Sequence, residues 1–201
     1  MDYIISLDQE FFLLLNGLGS PLFDSFWMLL TNKALNISIY ILLLTYFLKK
    51  TDLRSFLILL FFTALLVLIT DQTTNLFKEG FQRLRPCYEP ALEGLVRLVK
   101  EGCGGKYGYF SGHASNSFAL AVFYSLILKS RFKKSPFLLI CLASMVSFSR
   151  IYLGVHYPLD VISGIIFGAL VGFIFYLIWV KITPSKIYYY FSIPFSIDQT
   201  T

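Results

Sequence analysis

Val161-Ile-Ser-Gly-Ile-Ile-Phe-Gly-Ala-Leu-Val-Gly-Phe-Ile-Phe-Tyr-Leu-Ile-Trp-Val180 decides the fold. No charged residue interrupts it. An α-helix rises about 1.5 Å per residue, so roughly 20 apolar residues match the hydrocarbon thickness of a bilayer. Working outward, four more apolar stretches fit the same reading: Pro136–Ser149, Ala114 to the residue before Lys129, Ser55–Phe77 and Ala34–Leu48. The composition agrees. Of 201 residues 56% are hydrophobic, mean hydropathy is +0.68 and only 14% are charged. A soluble domain carries about a quarter charged residues, so lipid is the natural solvent for much of this surface. The expected fold class is all-α: a polytopic membrane helix bundle of about five transmembrane helices plus an N-terminal interfacial helix.

The chain reads as a single domain, residues 1–201. Residues 1–32 form an interfacial or re-entrant N-terminal segment, 33–183 the transmembrane core and 184–201 a C-terminal tail. From Tyr3 to Asn16, Asp8 and Glu10 alternate with apolar residues at helical spacing, as in a helix lying in the interface. Gly17, Gly19 and Pro21 break it. Leu22–Leu30 is too short to span; it either extends the first span with a kink or forms a re-entrant piece. The beginning MDYIISLDQE lacks a basic region and a small-residue cleavage site, so no removable signal peptide is expected. Tyr188–Phe191 reads as an interfacial anchor or tail.

The net charge of +5 fits a membrane protein with basic cytoplasmic loops better than a nucleic-acid binder. Lys49, Lys50 and Arg54 form one cluster, Lys129, Arg131, Lys133 and Lys134 a second, and Lys181 and Lys186 a third. Alternating spans put all three on one side. The opposite side holds the loop Arg85–Phe110 and the connection Arg150–Pro158, yet it also carries Lys78, Arg83, Arg85, Arg97, Lys100 and Lys106. Basic residues that break the topology rule need another task, and holding an anion is the natural one. Arg97, Lys100 and Lys106 read either as a second anion contact or as a solvated face. Cys87 and Cys103 flank this loop and fit a disulfide in an oxidising compartment, whereas Cys141 reads as a small buried hydrophobe.

Three segments on that side carry reactive side chains: Lys78 to Pro86, Ser111-Gly112-His113, and Ser149 to Asp160. Lys78, Arg85 and Arg150 are fixed cations at a membrane boundary, where charge is costly and tends to be functional. Arginine forks suit phosphate oxygens. Ser111 and Gly112 precede a helix whose first N–H groups form an anion seat. Asp160 follows His156 by four residues and can fix its tautomer, leaving the other nitrogen to attack. His113 can donate a proton to a leaving oxygen. Each piece alone has a plainer reading: snorkelling cations, a Ser-Gly helix cap, a carboxylate capping its own helix. Those readings do not explain why all three segments share one face.

Together the segments resemble the signature of the type-2 phosphatidic acid phosphatase family, K-x6-R-P, then P-S-G-H, then S-R-x5-H-x3-D. The matching residues are Lys78, Arg85, Pro86, Ser111, Gly112, His113, Ser149, Arg150, His156 and Asp160, and Phe110 stands where the family usually has proline. The resemblance implies a membrane lipid phosphatase. His156 is the implied nucleophile, Asp160 its orienting partner and His113 the acid. Lys78, Arg85, Ser111, Gly112 and Arg150 are the implied phosphate ligands. It implies no cofactor; the sequence shows no Asp/Glu cluster for a metal. The partners implied are a lipid phosphate and the bilayer, with no nucleic acid. The implied location is a bacterial inner membrane, crossed several times, with the active site facing the periplasm. Since the family shares its site with vanadium haloperoxidases, vanadate is an expected inhibitor. The foremost expected substrate is undecaprenyl diphosphate, ahead of phosphatidylglycerophosphate, phosphatidic acid and lipid A. A transporter would need a polar path that spans two and five lack, and a haloperoxidase would be larger and soluble. A non-catalytic lipid-phosphate binder would give His156 and Asp160 no reason to keep their spacing.

Overall fold

The computed structural model describes residues 2–182. It contains α1 Asp2–Gly17, α2 Pro21–Leu30, α3 Lys33–Lys50, α4 Leu53–Phe81, α5 Gly112–Leu128, α6 Ser135–Tyr152 and α7 Pro158–Ile182, with no β-strand among the described residues. Helices α3 to α7 fall on the five apolar stretches read from the sequence. Of these, α4, α6 and α7 are by themselves long and apolar enough to cross a bilayer. At 17 residues α5 is shorter, about 26 Å at the standard rise. It packs against α4, α6 and α7 and buries Ala114, Phe118, Ala119, Phe123, Tyr124 and Ile127. A helix surrounded by protein need not match the lipid thickness. The tail 184–201, with Tyr188–Phe191, lies outside the described residues.

The N-terminal segment differs from a simple interfacial helix. α1 and α2 form a pair bent by 111°, with extended Ser20 and Pro21 starting the new helix. That is the geometry of a broken span or a re-entrant hairpin. α2 is also separate from α3, whose first N–H groups, those of Ala34 and Leu35, donate to Asn32 Oδ1. One face of α1 exposes Tyr3, Ile4, Leu7, Phe11 and Leu14; the other is inserted, with Phe12, Asp8 and Asn16 buried. Phe12 meets Tyr157 edge-on at 5.4 Å between ring centroids. Cys141 corrects another expectation. It is exposed, because α6 turns that position outward from the bundle.

The closest packing joins α5 to α7. Gly164, Gly168 and Gly172 recur every fourth residue on one face of α7. A Cβ at Gly164 would stand 2.6 Å from the Ser111 carbonyl oxygen, and at Gly168 or Gly172 it would overlap the Ser115 or Ala119 carbonyl. Small residues at this spacing let two membrane helices approach backbone to backbone.

At one end of the bundle α4 and α6 finish, α5 and α7 start, and the loop 82–111 covers them. Short 3-10 turns at Pro86–Tyr88 and Pro90–Leu92 shape this loop. Its two arms are tied by Arg85 N–H to the Lys106 carbonyl (3.1 Å) and Gly108 N–H to the Arg83 carbonyl (2.8 Å). Cys87 and Cys103 are paired, with Cα atoms 6.3 Å apart. Asn16 of α1 fastens the loop to α6. Its Nδ2 donates to the Arg97, Ile151 and Tyr152 carbonyls, and its Oδ1 accepts from Arg97 N–H. Gly154, at φ +80°, permits this contact, since a Cβ there would meet the Arg97 carbonyl oxygen at 2.7 Å.

Two outcomes follow from the packing. Gly168→Leu should lower stability by about 2–3 kcal/mol, the scale of overpacking, read as a fall in the unfolding temperature in detergent; an unchanged midpoint would contradict the close approach. Titration of the denatured chain with a thiol reagent should find one reactive cysteine, Cys141, without reductant and all three after reduction.

Candidate active site

The residues expected to act together are brought together. Lys78, Arg85, Gly112, His113, Arg150 and His156 line one cavity of about 810 Å³ between α3, α4 and α5. Ser111 and Asp160 are buried just behind this wall.

Each cation is delivered by a different element. Lys78 ends α4, where Gln82 closes the helix in a left-handed cap with its N–H on the Lys78 carbonyl. Arg85 leaves the loop, and its guanidinium is aimed by donating from Nε to the Tyr107 carbonyl (3.2 Å) and from Nη1 to the Cys103 carbonyl (3.0 Å). Arg150 sits in the last turn of α6, where its Nη1 donates to Thr31 Oγ1 at 2.6 Å. Three guanidinium or ammonium groups with so few acceptors repel one another in a low-dielectric setting, and an anion among them relieves that repulsion.

Ser111 occupies the N-cap position of α5, but its side chain makes no capping bond. Its Oγ is buried without a hydrogen-bond partner, and so is Arg150 Nε. The plainer reading of Ser-Gly as an ordinary cap therefore fails for the side chain. Gly112 stands close to its neighbours: a Cβ there would meet Thr74 Cγ2 at 3.3 Å, a tight contact, and Lys78 Nζ at 3.8 Å. Phe110, the departure from the family pattern, is buried with its ring 5.1 Å from those of Phe77 and Phe167. Aromatic packing fixes the approach to α5 where proline would have done so covalently.

His156 lies in the turn between α6 and α7, fully enclosed. Its Nδ1 faces Asp160 Oδ2 at 3.4 Å. That carboxylate also caps α7, with Oδ2 accepting from Tyr157 N–H at 3.1 Å. Burial, followed by the fields of Arg85, Arg150 and Lys78, holds the His156 imidazole well below its ordinary range, so it is neutral at physiological pH. Gly108 packs on the pair: a Cβ there would stand 3.1 Å from Asp160 Oδ2 and 3.6 Å from His156 Nδ1.

Two residues join the site that the sequence reading did not place there. Arg83 donates to Asp160 Oδ1 at 2.7 Å and to Asp8 Oδ2 at 2.5 Å, with its guanidinium 4.3 Å above the Tyr157 ring. Asp8 Oδ1 also accepts from Leu159 N–H at 2.9 Å. Arg83 had already counted among the basic residues that break the topology rule. Asp8 gave only a weaker signal, a carboxylate within an apolar helix. Arg97 turns out to be engaged elsewhere. Its Nη2 lies 2.7 Å from both carboxylate oxygens of Asp24. Among the described residues no group of three His, Cys, Asp or Glu side chains is arranged to hold a metal ion.

Comparison with known proteins agrees with this geometry. The model of the PAP2 superfamily matches residues 55–184, and the chain belongs to that superfamily: it is a membrane lipid phosphatase. Among its relatives is a lipid A 4'-phosphatase of Porphyromonas gingivalis, 36% identical over 89% of this chain and 75% of the relative. A lipid A 4'-phosphatase of Bacteroides thetaiotaomicron is 33% identical over 91% of this chain and 81% of the relative. In fold, the chain resembles the crystal structure of a transmembrane PAP2-type phosphatidylglycerolphosphate phosphatase from Bacillus subtilis. The TM-score is 0.71 at 20% identity, covering 91% of this chain and 89% of that one.

Vanadate mimics a five-coordinate phosphorus. It should inhibit at millimolar concentration or below, and Arg150→Ala should weaken that inhibition at least about tenfold, since a buried charge-assisted pair contributes at least 1.4 kcal/mol. Equal inhibition of both proteins would contradict the cradle.

Proposed function

We propose that this protein hydrolyses the phosphate of a saccharide-based lipid of the lipid A class through a phosphohistidine on His156. The carrying observation is the enclosed His156–Asp160 pair facing a cavity walled by Lys78, Arg85 and Arg150. With Nδ1 turned to Asp160, Nε2 of His156 attacks phosphorus and the bond from phosphorus to the lipid oxygen breaks. His113 gives its proton to that departing oxygen. Water then attacks phosphorus while His113 takes its proton, the phosphorus–nitrogen bond breaks with its electron pair returning to Nε2, and inorganic phosphate and free His156 result. Lys78, Arg85, Arg150, Ser111 Oγ and the Gly112 N–H hold the equatorial oxygens, where most of the catalysis of phosphoryl transfer lies. Ser111 Oγ and Arg150 Nε gain the partners that buried polar groups require. These cations do the work that magnesium does elsewhere, so activity is expected to survive EDTA.

The substrate class rests on the cavity and the relatives. Counted along the helices from the cations inward, the lining has Asn75 and Asp71 on α4, Asn36 on α3 and Asn116 on α5 within the first two turns, with Ile37 beside Asn36, and Val67, Ala64 and Leu60 of α4 beyond them. Asn116 is held by Thr70. A band of amide and carboxylate groups suits the hydroxyls and amides of a sugar between phosphate and acyl chains. In an isoprenoid diphosphate the group next to the cleaved phosphate is a second phosphate, which carries no hydroxyl or amide and whose charge the Asp71 carboxylate repels. Two relatives matching about nine-tenths of this chain are lipid A 4'-phosphatases. Lipid A is accordingly favoured over undecaprenyl diphosphate, the foremost expectation from the sequence. The basic clusters at Lys49 and Arg54, Lys129 to Lys134 and Lys181 lie at the opposite end of the helices, which supports an active site facing the periplasm of a bacterial inner membrane.

Phosphate release from lipid A, undecaprenyl diphosphate, phosphatidylglycerophosphate and phosphatidic acid in detergent, with EDTA present, tests this reading. Lipid A should be cleaved fastest, and His156→Ala should lose at least about 1,000-fold. Preference for undecaprenyl diphosphate would overturn the substrate class, and an active His156→Ala the mechanism. Because only neutral His156 attacks and its pKa is depressed, activity should persist as pH falls and be lost only below about 6.5, the ordinary imidazole value. An acid limb of kcat/KM above pH 7, after correction for substrate ionisation, would contradict this.

A further inference from the structure

The N-terminal helix is joined to the reacting pair by an unbroken polar chain. Asp8 of α1 accepts from Arg83 (2.5 Å), Arg83 donates to Asp160 Oδ1 (2.7 Å), and Asp160 Oδ2 faces His156 Nδ1 (3.4 Å). Asp8 also accepts from the Leu159 N–H, the first N–H of α7, since Pro158 has none. It thus fixes both supports of Asp160: the guanidinium on its outer oxygen and the start of the helix that carries it. Both carboxylates are almost wholly buried. Two buried carboxylates with one shared arginine are costly unless the geometry is well satisfied, and here it is: every oxygen of the two has a named donor or faces His156.

We propose that Asp8 and Arg83 are positioning residues for the His156–Asp160 pair, so that helix α1 is part of the catalytic apparatus and not only a membrane anchor. The inference rests on His156 being the nucleophile. A carboxylate that orients a histidine acts through its angle as well as its charge, and Asp160 alone, with one oxygen turned to the Tyr157 N–H, has freedom about its side-chain bonds. Arg83 removes that freedom. Asp8 in turn keeps Arg83 from swinging toward the phosphate seat, where Arg85 lies two residues along. Neither residue lines the cavity, so their loss should spare binding and slow the chemical step.

The test compares Asp8→Asn, Arg83→Gln, the double variant, His156→Ala and, as a packing control, Asp24→Asn. Asp24 ties α2 to the loop through Arg97 and to α6 through Tyr152, a tie of similar form with no link to Asp160. With the substrate that the wild type cleaves fastest, Asp8→Asn and Arg83→Gln should each lower kcat about 10- to 100-fold, the scale of outer-shell partners. KM and vanadate affinity should stay within about threefold. The double variant should be no slower than Arg83→Gln, because residues in one chain are non-additive. Asp24→Asn should lower the unfolding temperature and leave kcat unchanged. Wild-type kcat in Asp8→Asn, or effects that multiply in the double variant, would overturn the proposal. A fall in kcat matched by loss of vanadate binding would also do so, by showing general damage. An active His156→Ala would instead remove the mechanism on which the inference rests.

Discussion

The backbone-to-backbone approach of α5 and α7 is the constraint on which the site depends. Three glycines on α7 allow it. It brings the first turn of α5, with Ser111, Gly112 and His113, against the first turn of α7, with Asp160. The Ser111 N–H donates to the Asp160 carbonyl at 2.9 Å, so the proposed phosphate seat and the carboxylate proposed to orient His156 are registered through main chain. A side chain at any of those glycines would part the first turn of α5 from that of α7, and so the proposed anion seat from the proposed nucleophile, whatever happened to the residues themselves. Two helix N-termini pointing into one place also give the site a positive potential before any cation is counted.

Charge supplies the second organising theme. Lys78, Arg85 and Arg150 converge from three elements on one cavity, while Asp8 and Asp160 sit together outside its lining with Arg83 between them. The separation has a chemical use. Cations facing the cavity are left with few protein acceptors, which keeps them available for phosphoryl oxygens. The carboxylates are saturated by Arg83 and by backbone N–H groups, which keeps them from quenching those cations. The disulfide and Asn16 hold the loop that supplies Arg85, so the covering loop is tied both to itself and to the N-terminal helix.

Much of this was legible in the sequence, for reasons that differ by residue. Long charge-free stretches fix helices in lipid almost unaided, and α3 to α7 appeared where apolarity placed them. Lys78, Arg85, His113, Arg150, His156 and Asp160 were legible because each lies in a short segment whose internal spacing is set by one helix end or one turn. Contacts between distant segments left no such mark. Asp8 and Leu159 are 151 positions apart, and nothing local at either residue points to the other. Arg97 read as a spare cation because its partner, Asp24, belongs to a segment whose path turns on a 111° bend. Cys141 read as buried because periodicity in an all-apolar helix does not tell a protein-facing side from a lipid-facing one. The glycines of α7 did carry a signal, their four-residue spacing, which a search for small residues at helix contacts would have found.

The central claim is that phosphorus passes through a covalent bond to His156. Rapid acid-free quenching of enzyme and excess lipid phosphate during turnover, followed by peptide mass spectrometry under alkaline conditions, reads this directly. The account predicts a phosphate on the peptide containing His156, acid-labile and base-stable, that forms as fast as lipid is released. Turnover at the normal rate with no phosphate on His156, together with inversion of configuration at a chiral phosphorus, would contradict it and point to direct attack by water.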